Sequence, residues 1–425
     1  MKTIKLNQVT KIEGHAKLHI IVDNGIIKKA SLKIFEGSRF FEGMLKGKKW
    51  DDLPHITSRI CGICSPVHAI TSVRAVEDAF NVKVSKQSRL LRELVLIGGT
   101  LQSHVLHLYF LTLPDYIGYN NALEMLPKYK PEIERALRIK KMGNMLVDFL
   151  GGRDIHPIAV VPGGLSRIPE QKVVNDLLKH LNLIKKDAKA TVELFTSLKY
   201  PEMSHKKLLA ALSGGHYFDS NKIIMCDDKQ CYPSRDYEQH FNEFFQKGST
   251  AEFVQIDGKS YMVGALARMV NNFNALSGFS QKLVKKHLID KTSPYMNNVA
   301  QAIEIYEGIL RCVHILENLQ LKNEKLKPIN VRPAVGIGAA EAPRGILFHK
   351  YSFDKKGICV SANITTPTSQ NLLNIQEAIK QRLPAILKYS EEEIKLEIEK
   401  LIRAYDPCIS CSTHFLEMKL EKNDE

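Results

Sequence analysis

Two short stretches at opposite ends of the chain carry residues able to bind a metal. One is Arg59-Ile60-Cys61-Gly62-Ile63-Cys64-Ser65-Pro66-Val67-His68; the other is Asp406-Pro407-Cys408-Ile409-Ser410-Cys411-Ser412-Thr413-His414. A C-x-x-C sequence puts two thiolates on one turn, so Cys61 and Cys64 with Cys408 and Cys411 offer four sulfur ligands. Thiolates select soft or borderline metals such as zinc, copper(I), nickel and iron. The plain alternative is a structural zinc site, the usual role of paired C-x-x-C in an intracellular protein. Three features speak against it. His68 and His414 follow the pairs, giving more donors than a closed tetrahedral zinc site needs. Arg59 precedes one pair and Asp406-Pro407 the other, unlike a zinc knuckle. Nearly the whole chain separates the pairs, whereas a zinc ribbon closes a small module.

Written as R-x-C-G-x-C-x-x-x-H and D-P-C-x-x-C-x-x-H, these motifs resemble the large, catalytic subunit of nickel–iron hydrogenases. Leu347-Phe348-His349-Lys350-Tyr351 looks most like the cytoplasmic multimeric branch of that family, the sulfhydrogenase or methyl-viologen-reducing type. The resemblance implies that Cys61 and Cys408 are terminal on nickel, and that Cys64 and Cys411 also bridge to an iron bearing carbonyl and cyanide. Ile12-Glu13-Gly14-His15 is similar to the family's R-I-E-G-H segment, with Lys11 in place of its Arg. Taken locally, Glu13 is a surface residue at a bend; the resemblance makes it the first proton acceptor. It also implies a magnesium-type ion, magnesium or iron, at a lower site held by Glu42, the carbonyl of Ile364 and His414. Hard cations take such oxygen ligands. His68 would hydrogen-bond the thiolate of Cys64. Ile364-Thr365-Thr366-Pro367-Thr368-Ser369-Gln370-Asn371 resembles the segment around the iron's diatomic ligands, with Thr368 donating to a cyanide and Pro367 beside it. Glu341-Ala342-Pro343-Arg344-Gly345 resembles the loop that hangs an Arg over the metals. Asp406 and Asp115, the latter ending an S-H-x-x-H-x-Y-x-L-x-x-x-D stretch, would orient Arg344 through charge-assisted bonds.

Dihydrogen is a very weak acid, so its cleavage needs an electrophile and a base together. In the implied site the metals are the electrophile, and the base is the Cys408 thiolate or Arg344. The proton then passes towards Glu13. The electrons need a route out. The remaining cysteines, Cys226, Cys231, Cys312 and Cys359, are scattered and form no iron–sulfur pattern. The resemblance therefore implies an iron–sulfur small subunit and further electron-transfer subunits. Two rivals differ in class. The fold-related structural or quinone-site subunit of a respiratory complex lacks the paired cysteines. A zinc-stabilised assembly protein leaves Glu13 and Arg344 without a role.

The 425 residues, 44% hydrophobic, suit a large soluble globular protein. No apolar run reads as long enough to span a bilayer, and Met1-Lys2-Thr3-Ile4-Lys5 lacks an apolar signal core. Eight cysteines are few for this length and suggest a reducing, cytoplasmic setting. The net charge of +14 comes from dispersed lysines, as at Lys140-Lys141 and Lys285-Lys286, without a nucleic-acid motif. They read as solvated faces, which excludes nucleic acid and favours an acidic protein partner.

These residues must be positioned by a mainly helical α+β scaffold with an N-terminal antiparallel β region and a long-helix core. Residues 4–35 alternate apolar and polar, with a hairpin turn at Asp23-Asn24-Gly25. Residues 87–112 show helical periodicity ending near Pro114-Asp115, with His104 and His107 on one face in a packing role. Residues 169–199 and 293–321 read as long helices. A strand-and-turn insertion near 216–262, with a hairpin candidate at Asp257-Gly258, carries no residue assigned to chemistry. Amphipathic helices at 374–383 and 390–404 deliver the chain to Cys408. Asp257-Gly258-Lys259-Ser260 imitates a P-loop, but Phe253 stands where the leading Gly should be. Gly336-Ile337-Gly338 imitates a dinucleotide fingerprint, but Glu341 and Pro343 spoil it. Residues 1–414 read as one intertwined domain, β-rich over 1–58 and mainly helical over 59–414. Residues 415–425 form a polar tail that the resemblance implies a maturation endopeptidase removes.

Overall fold

The computed structural model describes residues 2–413 apart from 7, 24, 25, 38, 39, 228, 229 and 289. Strands β1 (Lys2–Leu6), β2 (Ala16–Asp23) and β3 (Ile26–Ile34) pair antiparallel in that order. Alternation buries Leu18, Ile20, Leu32 and Ile34 on one face, as the period of two requires. The expected turn residues Asn24 and Gly25 lie outside the described residues. Short helices α1 (Phe41–Leu45) and α2 (Leu53–Thr57) lead into α3 (Ser65–Ala79).

Next, α4 (Lys86–Val105), a π-helical segment (Leu106–Thr112) and α5 (Leu113–Ile117) form one continuous rod. Ser85 caps its start by accepting from the Ser88 amide at 2.9 Å. The rod ends at Ile117, close to the expected Pro114-Asp115, with Pro114 standing just after the π-helical segment. The rod is long and apolar enough to cross a membrane, contrary to the sequence reading, and 83% of its apolar window is buried. It is apolar on all sides because α3, α6 (Ala122–Gly151) and α10 (Met296–Asn318) pack around it. Helix α6 was not anticipated: Pro127 and Pro131 lie inside it, with a kink at Tyr129, and interrupt the helical signal.

Strands β4 (Val160–Val161) and β5 (Gly164–Leu165) pair across Pro162-Gly163, and α7 (Gln171–Ser197) follows as expected. The strand region is β6 (Leu208–Ser213), β7 (Ile223–Cys226), β8 (Cys231–Pro233), β9 (Phe241–Phe245), β10 (Glu252–Ile256) and β11 (Tyr261–Met262). The Asp257-Gly258 turn forms, with φ of 47° and 76°, but closes only one bridge, Ile256 to Lys259. The reason is that β11 leaves to pair with β6 in parallel. Helices α8 (Ala265–Asn271) and α9 (Gly278–His287) precede α10.

An unanticipated antiparallel sheet follows: β12 (Ala334–Ala342), β13 (Gly345–Phe353) and β14 (Cys359–Thr365). Gly336 and Gly338, the imitation of a dinucleotide fingerprint, lie on β12 against α3. A Cβ on Gly338 would sit 2.1 Å from the Thr71 carbonyl oxygen, and one on Gly336 2.1 Å from that of Ala75. The glycines let the backbone of α3 lie directly on the sheet. Helices α11 (Pro367–Ile386) and α12 (Glu391–Ala404) complete the chain. A reciprocal Ser390–Glu393 capping box starts α12, and its buried stripe of Ile394, Ile398, Leu401 and Ile402 fixes where Cys408 emerges.

Candidate metal centre

Cys61 is extended after a tight turn at Ser58–Ile60, and Cys64 stands immediately before α3, at the positive end of its dipole. Cys408 is extended, and the turn Ile409–Ser412 brings Cys411 back, its amide donating to the Cys408 carbonyl at 3.2 Å. The two ends of the chain meet here. Glu13 bridges to Cys408 in parallel pairing, and the Ile409 amide donates to the Glu13 carbonyl at 2.9 Å. Gly14 permits this approach: its φ is +83°, and a Cβ would fall 2.6 Å from Ile409 Cβ.

The four sulfurs lie within 4.8 Å of one another and are buried. Cys408 Sγ is 3.4 Å from Cys61 Sγ and 3.1 Å from Cys411 Sγ, with all these cysteines free. Such spacing is far beyond the ~2.05 Å of a disulfide. Hydrogen bonds from Cys408, Cys411 and Cys64 hold the Cys61 thiol well below its usual range. Hydrogen bonding with Cys411, Cys61 and Cys64, together with burial, pushes Cys408 well up. Cys411 also rises, because Cys61, Cys64 and burial outweigh its bond with Cys408. Crowded, buried sulfurs thus resist becoming thiolates together, and a divalent metal removes that penalty by displacing their protons. The donor set fits a soft cation such as nickel.

Arg344 lies at the tip of the β12–β13 hairpin, where Ala342 faces Gly345. Its Nε donates to the Asp406 carbonyl at 2.7 Å and its Nη2 to Asp406 Oδ1 at 3.0 Å. Its Nη1 reaches Cys64 Sγ and Ser103 Oγ, each at 3.2 Å. Burial opposes its charge, but Asp406, Cys64, Cys408 and Cys61 outweigh burial and hold the guanidinium protonated. Asp406 thus stands where expected. Asp115 does not hold Arg344. It accepts instead from Lys11 Nζ and Arg403 Nη1, because α5 turns it towards the N-terminal segment and α12. On that rod it is Ser103 that meets Arg344, and its short neutral side chain gave no sequence signal.

His68 Nε2 lies 3.9 Å from the sulfur of Cys411, and its Nδ1 is 3.1 Å from His349 Nε2. It stands one turn into α3, past Cys64 and facing the returning C-terminal turn. Among the described residues neither His104 nor His107 belongs to a group of three or more side chains that could hold a metal. His104 Nε2 pairs with Glu304 at 2.6 Å, and His107 with Gln301 at 2.6 Å.

Thr368, in the first turn of α11 beside Pro367, accepts from the Cys408 amide at 3.0 Å. Glu42 accepts from the Ile364 amide at 2.7 Å, and burial pushes its carboxyl up to about 8. The strand region brings two carboxylates close to Glu42. Glu252 is buried and Glu243 half-buried; desolvation raises Glu243 and pushes Glu252 up to about 9. Separated acidic residues in an unremarkable strand context carried no spacing that could flag them. His414 and the tail lie outside the described residues.

A buried cluster of four cysteine sulfurs, with an arginine and a carboxylate against it in a mainly helical α+β frame, marks the site of a metal-binding protein. The family description "Nickel-dependent hydrogenase" matches residues 39–144 and 234–414, and "HoxL-like" matches residues 3–36. Sulfhydrogenase 1 subunit alpha of Pyrococcus furiosus is 35% identical over 423 residues, 98% of either chain. Sulfhydrogenase 2 subunit alpha of the same organism is 33% identical over 422 residues, covering 98% of this chain and 100% of that one. The crystal structure of an NAD+-reducing [NiFe]-hydrogenase in its H2-reduced state superposes with a TM-score of 0.89 at 24% identity, covering 97% of this chain and 100% of the other. The chain belongs to the nickel-dependent hydrogenase family and is a hydrogenase large subunit, the catalytic one. Its clustered cysteines disfavour the structural and quinone-site alternative.

Proposed function

We propose that the chain cleaves dihydrogen heterolytically and reversibly with a nickel–iron pair that Cys61, Cys64, Cys408 and Cys411 would hold, Cys61 and Cys408 serving nickel and Cys64 and Cys411 serving both metals. That pair, with carbonyl and cyanide on iron, supplies the electrophile when bound. One observation carries the reading: a proton acceptor and a fixed cation sit on different sulfurs of one cluster. Glu13 Oε2 is 3.2 Å from Cys408 Sγ, and Arg344 Nη1 is 3.2 Å from Cys64 Sγ. The Cys408 thiolate takes the proton and hands it to Glu13. The Ser410 amide, 2.9 Å from Glu13 Oε2, keeps that carboxylate aimed at the sulfur. Arg344 holds positive charge over the site in a water-poor setting, where a fixed charge counts most. Thr368 uses a lone pair on the Cys408 amide, which leaves its O–H to donate towards an iron-bound cyanide with Pro367 packed beside it. His68 orients the sulfur it faces.

Glu42, the Ile364 carbonyl and His414 hold a magnesium-type ion, magnesium or iron, in this reading. The neighbouring Glu243 and Glu252 support it, because a cation there offsets the cost of burying carboxylates together. Electrons leave to an iron–sulfur small subunit and on to further electron-transfer subunits. The designation of both sulfhydrogenase relatives as alpha subunits supports a heteromeric complex. The complex is cytoplasmic, with no nucleic-acid partner and no inserted membrane segment. Residues 1–414 act as one intertwined domain, and an endopeptidase removes residues 415–425 on maturation.

The test is an infrared spectrum of the purified complex, with nickel and iron assayed on the same sample. Sharp carbonyl and cyanide bands with nickel and iron bound are expected; zinc without such bands would refute the site. In that complex Arg344→Lys should lower turnover by about 10²-fold or more with metal content intact. Unchanged turnover would remove Arg344 from the mechanism.

A further inference from the structure

Arg344 is placed by Asp406, so what places Asp406 matters. Asp406 follows the end of α12 with a left-handed φ of 51°, a conformation that a non-glycine residue adopts only when its surroundings hold it. Its amide donates to the Arg403 carbonyl at 2.8 Å. Its Oδ1 receives Arg344, and its Oδ2 receives Gln301 Nε2 at 3.0 Å. Gln301 lies on α10, away from every motif of the metal site, and is fully buried. Its other end faces His107: Gln301 Oε1 is 2.6 Å from Nδ1 of that ring. His107 Nε2 is 2.7 Å from the Arg403 carbonyl, the same oxygen that receives the Asp406 amide.

The donors and acceptors in this chain follow from elementary chemistry. The Asp406 carboxylate that receives Arg344 only accepts, so Gln301 turns its NH2 group to it and its carbonyl to His107. The Arg403 carbonyl also only accepts, so the ring nitrogen of His107 that faces it donates, with Thr112 Oγ1 3.1 Å from the same nitrogen. Each amide end of Gln301 therefore has a single workable partner, and the side chain cannot flip without setting oxygen against oxygen. His107 itself stands in the π-helical segment Leu106–Thr112, a rare element that often accompanies function.

We infer that Gln301, anchored by His107, is a positioning residue for Arg344 and acts through Asp406. The inference rests on the assignment of Arg344 above. Gln301 touches neither sulfur nor guanidinium. It locks the carboxylate that receives Arg344 Nη2, while the Asp406 carbonyl that receives Nε is locked by the same strained residue. Without it one carboxylate oxygen of the buried Asp406 loses its donor, and the residue relaxes from its φ, carrying the guanidinium away from Cys64.

The experiment compares Q301L, R344K and the double variant in the assembled complex, reading hydrogen uptake and nickel content. A displacement of about 1 Å in a catalytic group costs about 10²-fold in rate. Q301L should lose kcat on that scale with little change in KM for hydrogen and full nickel content. In the R344K background the same substitution should lose almost nothing more, because both act on one interaction. Q301L losing as much in either background, or losing nothing in the parent, overturns the inference while leaving Arg344 in place. R344K without effect overturns the Arg344 assignment instead. If Q301L fails to accumulate with nickel, the same cycle with the isosteric Q301E decides, since its carboxylate keeps the shape but faces Asp406 with like charge.

Discussion

Glu13 and Arg344 touch different sulfurs, and that separation makes their roles experimentally distinct. Glu13 meets only the Cys408 side of the cluster, with one oxygen shared between the sulfur and the Ser410 amide. Glu13→Gln preserves the shape and the amide contact but cannot receive a proton. Exchange between dihydrogen and deuterated water should fall about 10²–10⁴-fold, the usual worth of a positioned general base, with nickel content unchanged. Retained exchange would place the proton acceptor elsewhere. At this scale the sequence was readable where chemistry needs a rare residue in a fixed frame: the four cysteines, Glu13, Arg344 and Asp406 all come together as expected. It was misleading where a residue's partner depends on which way an element turns. Asp115 looked like an arginine clamp and is one, but for Arg403 and Lys11. Ser103, Gln301 and Glu252 are ordinary side chains whose surroundings alone make them matter.

At the level of elements, two features set the cluster's frame. Helix α3 lies on β12 through glycine, and any side chain there must push the helix off the sheet. Gly338→Ala should therefore cost about 1–3 kcal/mol, as overpacking does, and should also lower nickel occupancy because α3 starts at Cys64. Thermal melts and nickel assay on the same sample check both halves. The second feature is the buried network joining α8, α10 and β12. Arg268 donates to Glu304 at 2.7 Å and to Glu341 at 2.9 Å, while His104 and Tyr217 both meet Glu304 at 2.6 Å. Burial would raise Glu304, but Arg268 prevails and holds it at about 2. Burial lowers His104. Both groups bind more protons unfolded than folded in acid, so both cost stability as pH falls. The His104 contribution fades below its unfolded pKa of about 6.5, and the Glu304 contribution fades from 4.5 down towards about 2. Glu341, raised by burial, offsets part of the loss, and Glu42 and Glu252, pushed up to about 8 and about 9, act in the same opposing sense elsewhere in the fold. Urea melts at pH 7, 5.5 and 4 on the parent and on the Arg268 variant therefore isolate this network's share of the pH dependence. Arg268→Met should cost about 3–5 kcal/mol at pH 7, because it leaves a buried carboxylate unpaired, and should flatten that pH dependence. None of this network was legible in sequence, since its members lie far apart and each alone reads as a surface charge. Long periodic helices were legible; α6 was hidden by its prolines and the β12–β14 sheet by its small residues.

Across the whole molecule, the metal site is where the chain closes on itself. Cys61 and Cys64 come from the start of the helical part, Cys408 and Cys411 from the end of the described chain, and Glu13 pairs along Cys408 from the N-terminal segment. A cation bound to all four sulfurs cross-links segments separated by nearly the full length of the chain. Loop closure of that size carries an entropy cost that grows slowly with length and is borne by the unfolded state when the cross-link is kept. Binding free energy of the metal is then folding free energy of the join. Without the metal nothing ties the two cysteine pairs together covalently, since all four are free cysteines. Stripping nickel should therefore lower Tm and speed amide exchange first in residues 12–14, 61–64 and 408–412, while α4 and α10, held by apolar packing, stay protected. Hydrogen exchange on loaded and stripped protein measures this directly. Uniform protection in both forms would mean that the scaffold alone holds the site in shape, and that the metal only occupies it.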